Sequence, residues 1–143
     1  MMPTREQEKI VQQVTTYLVK QSDVVIAYVF GSLVTGPFRS RSDVDVAVVL
    51  AGWGDKVMRF ERRLELEIAL QRVIGRPVHV VDLELAHPFL QHQVRKTGCL
   101  IVDKDPARRV RLELDARRRY FDMLPVYRLR RQLALKLLEA RHG

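Results

Sequence analysis

Seven consecutive residues, Val24–Phe30, are β-branched, aromatic or small and apolar, and the run stops at a glycine. A run of this length and composition is a buried strand, far too short to span a bilayer. It delivers Gly31-Ser32 into one or two helical turns, Ser32–Thr35, which the Gly36-Pro37 breaker closes. Phe38–Ser42 is then a polar, basic loop, and Asp43–Leu50 resumes as a strand that Gly52 and Gly54 end. A strand, a tight turn, a stub of helix, a loop and a second strand are thus fixed within 27 residues.

This frame places chemistry at one end of a sheet. Glycine at position 31 lets the backbone approach a phosphate closely, and free amides at a helix start favour its charge. The Ser32 hydroxyl supplies one more donor. Asp43 and Asp45 are two apart on a strand, so both carboxylates project from one face. Carboxylates so placed repel each other unless a cation lies between them. Mg²⁺ suits the pair, because it takes hard oxygen ligands and keeps positions open for substrate phosphates. In the loop between, Arg39 and Arg41 are within reach of a triphosphate, which an arginine fork binds in a bidentate way. Either residue is equally a solvated loop charge. Lys56 and Arg59 are weaker candidates at the next helix start.

The remaining chain reads as α+β. Ile10, Val11, Val14, Tyr17 and Leu18 predict an amphipathic helix over roughly Thr4–Gln21. Asp55 caps a helix to about Ile74, with Val57, Phe60, Leu64, Ile68 and Val73 on one face and Gly75 at its end. Pro77–Leu83 is a third strand, Pro88–Lys96 a short helix ended by Gly98, and Cys99–Val102 a fourth strand. Asp105-Pro106 opens two helices, roughly 106–123 and 126–141, parted at Pro125. The expectation is one domain spanning 1–143: a small mixed sheet flanked by helices over about 22–103, and a C-terminal helical tail over about 105–143.

Composition adds limits. The single cysteine, Cys99, excludes an intramolecular disulfide, and the first twenty residues hold no cleavable apolar block, so the expected location is the cytoplasm, with no membrane partner. His87, His92 and His142 have no metal-ligand spacing with Cys99 or one another, which argues against zinc. Trp53, between two glycines, reads as a loop-tip anchor, with stacking on a base or partner as the alternative. The net charge of +8 is uneven: residues 104–143 carry twelve Lys or Arg against five acids, and residues 1–103 thirteen against twelve. Arg108, Arg109, Arg111, Arg117, Arg118, Arg119, Arg128, Arg130 and Arg131, interleaved with leucines, form either a solvated face over a core or a docking surface for an acidic protein or RNA.

Phe30-Gly31-Ser32, then Gly36, then Ser42-Asp43-Val44-Asp45 resembles the GSx10DxD signature of the DNA polymerase β-like nucleotidyltransferase superfamily. Chain length and the Tyr120-Phe121-Asp122 stretch resemble its minimal nucleotidyltransferase (MNT) branch, whose members are commonly antitoxins paired with HEPN toxins. The likeness runs from about Val24 to Tyr127 and is softer after Val78. It implies ATP as substrate, Mg²⁺ at a site able to hold two metals, and AMP transfer to a hydroxyl, often a tyrosine of a HEPN-family toxin partner. It also implies phosphate contacts at Gly31 and Ser32 and metal ligation by Asp43 and Asp45.

One position departs from the pattern. Superfamily members usually add a third carboxylate from the next strand, and His79 stands at the matching place. Three readings follow: His79 as base or weak ligand, Asp82 swinging in from the strand end as a metal ligand, or a site with two carboxylates. The alternatives to an adenylyltransferase antitoxin are a non-catalytic nucleotide-binding or toxin-sequestering module and a small-molecule (antibiotic) nucleotidyltransferase.

Overall fold

The computed structural model describes residues 4–52 and 54–142, so Trp53 lies outside the described residues, as does the side chain of His142. Four strands, β1 (Val24–Phe30), β2 (Val44–Leu50), β3 (Val78–Asp82) and β4 (Cys99–Asp103), form one sheet in the order β3-β2-β1-β4. β1 is antiparallel to both β2 and β4, and β2 is parallel to β3, so the sheet is mixed. Helices α1 (Arg5–Val19) and α3 (Lys56–Ile74) cover one face, and α4 (Pro88–Thr97) with the first half of α5 (Pro106–His142) covers the other. α2 is the four-residue turn Ser32–Thr35.

Alternation along the strands builds the two layers. Val44, Val46, Val48, Val78 and Val80 pack with Val14, Leu18, Leu66 and Leu70. Ala47, Val49, Ile26, Tyr28 and Phe30 turn the opposite way and pack with Val94, Leu90 and Leu112. Asp45 and Asp43 share the parity of Ala47 and Val49, so they emerge at the end of the second face.

Capping fixes the helix starts. Thr4 and Gln7 form a capping box on α1, and Gln7 also donates to the Leu33 carbonyl at 3.1 Å, tying α1 to α2. Asp55 caps α3 as expected, and Gly75 ends it at φ 77°.

Two expectations are corrected here. Val57, Phe60, Leu64, Ile68 and Val73 are all exposed on α3, and Leu66 and Leu70, with the stems of Arg59, Arg62 and Arg63, face the sheet. Arginine stems cover apolar surface while their heads find carboxylates, so a charged face can be the inner one. The tail is one helix and not two. Pro125 lies inside α5, at an exposed position, and the flanking Leu and Arg residues are strong helix formers, so losing one intrahelical bond does not end the helix.

Candidate functional site

The site is assembled where β1 ends beside the start of β2. Phe30 is opposite Asp45 in the β1–β2 register, and Asp45 is opposite His79 in the β2–β3 register. Three neighbouring strands therefore bring Gly31, Asp45 and His79 into one row. Gly31 has φ 74° and ψ −152°, a region that essentially only glycine occupies. A Cβ at Gly31 would overlap the Asp45 Oδ2 atom, so backbone and carboxylate are in close apposition. Ser32 follows directly, half-exposed, at the first position of α2, whose turn is closed by the Thr35 hydroxyl donating to the Gly31 carbonyl at 3.0 Å.

His79 sits between two acids. Its Nε2 is 3.1 Å from Asp43 Oδ2, and its Nδ1 is 4.0 Å from Glu67 Oε1 on α3. Glu67 is itself fixed, because it accepts the Val80 amide at 3.0 Å and faces Arg63 at 3.6 Å. His79 is 61% exposed and Asp43 46%, whereas Asp45 is half-buried. Burial raises the Asp45 carboxyl above its ordinary range; His79 opposes that shift and the nearby Asp43 adds to it. Asp43 and Asp45 are thus two close carboxylates with unfavourable mutual charge, able to share a divalent cation. Among the described residues no three His, Cys, Asp or Glu side chains gather to hold a metal on their own.

Asp82 lies elsewhere. It pairs with Val48 and so has the parity of Val78 and Val80, on the face covered by α3. Its carboxylate is gripped by Arg59, with Nε–Oδ2 and Nη2–Oδ1 both at 2.8 Å, and it is 7% exposed. The same pairing spends Arg59. Asp82 is thus not brought together with Asp43 and Asp45, and the Arg59 guanidinium is directed to Asp82.

Arg39 and Arg41 are exposed on the loop between α2 and β2. What holds that loop is Arg76, which sequence reasoning did not single out. Its guanidinium donates to the carbonyls of Arg39 (3.3 Å) and Ser42 (3.2 Å), and stacks 4.6 Å from the Phe38 ring centroid. Its position two residues before β3 is the only local clue, since the contacts span more than thirty positions. Glu67 was missed because its contacts to Val80 and His79 join α3 to β3, which no spacing within the helix reports.

The polymerase β nucleotidyltransferase family model matches residues 12–107. Among solved structures, a toxin–antitoxin complex of MntA is similar at 21% identity and a TM-score of 0.63, covering 93% of this chain and 98% of that one. A complex of tri-AMPylated Shewanella oneidensis HEPN toxin with MNT antitoxin is similar at 22% identity and 0.62, again over 93% and 98%. A third toxin–antitoxin structure, with AMP-PNP, is similar at 21% identity and 0.54, over 96% and 98%. No curated protein matches significantly. The family match covers the whole row from Gly31 through Asp43 and Asp45 to His79, and the fold is shared with MNT chains over nearly its full length: this chain belongs to the polymerase β nucleotidyltransferase family.

Proposed function

We propose that this chain is an MNT-type antitoxin that transfers AMP from ATP to a tyrosine hydroxyl of a HEPN-family toxin. The observation that carries the reading is the apposition of the Gly31 backbone to the Asp45 carboxylate, with Asp43 and His79 alongside. It is supported by structural likeness to complexes of MNT antitoxin with HEPN toxin, one of them AMPylated.

In this reading Asp43 and Asp45 hold Mg²⁺, and the residues present fit it. Their carboxylates are hard oxygen donors on one face, and the absence of a side chain at Gly31 lets the Asp45 carboxylate lie directly against the backbone that would seat a phosphate. When bound, the ion offsets charge on the transferring phosphoryl group and the departing pyrophosphate. Gly31 and Ser32 seat the phosphates, and Arg39 and Arg41, on the loop that Arg76 holds, meet the outer ones. The acceptor oxygen forms a bond to the α-phosphorus, the α–β bridging bond breaks, and pyrophosphate leaves with the electron pair. The hydroxyl proton passes to the His79 imidazole, which is held between Asp43 and Glu67. An added nucleotide on a tyrosine beside a nuclease site would place a bulky anion in the path of RNA.

The second reading, a nucleotide-binding or toxin-sequestering module, rests on His79 standing where a third carboxylate is usual. Pyrophosphate release in the presence of the co-expressed partner separates the two. An enzyme releases it and labels the partner from α-labelled ATP, and Asp43→Ala and Asp45→Ala each abolish both signals. Undiminished labelling in the double variant would overturn the assignment of these carboxylates.

A further inference from the structure

Near its end α5 leaves the domain: the sixteen-residue segment Val126–Arg141 has Tyr127 as its last anchor. Tyr127, its hydroxyl 2.8 Å from His87 Nδ1, is the final half-buried residue of α5, and every residue from Arg128 to Arg141 is exposed. The segment extends about 24 Å at ~1.5 Å per residue. An isolated helix of this length is marginal in water, and most helices in proteins are held by packing of an apolar face. Here the apolar face exists without a cover: Leu129, Leu133, Leu135, Leu137 and Leu138 are each at least 51% exposed.

The chemistry of the segment selects among occupants. It carries Arg128, Arg130, Arg131, Lys136 and Arg141 against Glu139 alone. A second copy of the same helix would bring five cations against five, and like charges in facing helices disfavour pairing. A membrane surface needs one broad apolar face on the helix. In this segment Val126, Leu129, Leu133 and Leu137 make one stripe, while Leu135 and Leu138 lie about 120–180° around the helix from Val126. A bilayer would leave one set in water. RNA would pair with the cations but would leave five leucines exposed, and no aromatic residue follows Tyr127 for stacking on bases.

We infer that Val126–Arg141 is the docking element for a protein partner that offers an apolar groove rimmed by carboxylates and closes on the helix from two sides. This surface is separate from the site at Gly31, Asp43 and Asp45, and the inference does not depend on catalysis there.

The test uses the full chain and a synthetic leucine-zipper peptide with Leu at the core positions and Glu at the flanking ones, followed by fluorescence anisotropy. Saturable binding is expected, and the matching peptide with Lys at the flanking positions should bind at least tenfold more weakly. The triple variant Leu129→Ala, Leu133→Ala, Leu137→Ala keeps all five cations and favours helix, and it should lose at least tenfold in affinity. Its circular dichroism and melting should match wild type, since none of the three packs on the domain. No binding of the acidic peptide, or equal binding by the variant, would overturn the inference. So would a dimer of the free chain that the triple variant dissolves. Binding to polyuridylate RNA or to phosphatidylserine vesicles that is tighter than peptide binding, and lost in the same variant, would equally overturn it. Failure here leaves AMP transfer to be judged by its own assay.

Discussion

Gly31→Ala is the perturbation that reads most directly on how the site is built. At φ 74° and ψ −152° an alanine carries a conformational cost of about 1–3 kcal/mol. The new Cβ also overlaps Asp45 Oδ2, and an aspartate is too short to yield without rotating its carboxylate out of the row. Gly75→Ala is the matched control. Gly75 also has positive φ, 77°, but it is in the ordinary left-handed region at the end of α3 and a Cβ there meets nothing within 4 Å. Its cost is strain alone, about 1 kcal/mol. At about 3–4 °C per kcal/mol for a chain of this size, Gly31→Ala should lower Tm by roughly 3–12 °C and Gly75→Ala by about 3–4 °C. The two should part in nucleotide binding. Titration calorimetry with ATP and Mg²⁺ should show affinity reduced at least tenfold in Gly31→Ala and unchanged in Gly75→Ala. Wild-type ATP affinity in Gly31→Ala, or an equal loss in Gly75→Ala, would refute the claim that Gly31 and Asp45 form one ligand cradle.

Asp82→Ala should destabilise by about 1–3 kcal/mol, because it leaves the Arg59 guanidinium, 13% exposed, with Glu84 at 3.5 Å as its remaining carboxylate; at temperatures where the variant is folded, ATP affinity should stay within twofold of wild type by calorimetry. Arg76→Ala should release the loop that carries Arg39 and Arg41, raising KM for ATP more than it lowers kcat in steady-state assays. The Arg62 fork, at 2.7 and 2.9 Å, holds the Asp23 carboxyl below its ordinary value of 3.8. Its folded pKa is the lower one, so the pair contributes stability above the unfolded value, and that contribution is lost as pH falls through the folded value. Asp23→Asn should therefore flatten the acid limb of a Tm-against-pH curve below about pH 4, and an unchanged limb would contradict the pairing.

What the sequence made legible follows the range of the interactions. The strand ending at Gly31, the turn Ser32–Thr35, and Asp45 on the next strand with Asp43 just before it are local features, and each is where its neighbours in sequence imply. The His79 position was also legible, because alternation with buried Val78 and Val80 dictates its face. Asp82 has the opposite parity, and only the position of Arg59 on α3 shows what its carboxylate does. The inner face of α3 was hidden because two stripes on that helix have helical spacing, and the more apolar one faces outward. Pro125 read as a break because its local effect is a lost bond, whereas helix continuity is set by the residues on both sides. Arg76 and Glu67 act through contacts with backbone far away in sequence, which no spacing rule reports.

The fate of labelled ATP decides the proposed nucleotidyl transfer by Asp43 and Asp45. With Mg²⁺ and the proposed HEPN-family partner, label at the α-phosphate should become covalently attached to that partner, while label at the γ-phosphate should leave as pyrophosphate, and EDTA should stop both. Transfer of γ-label, or α-label incorporation that persists in the Asp43→Ala, Asp45→Ala double variant, would contradict it.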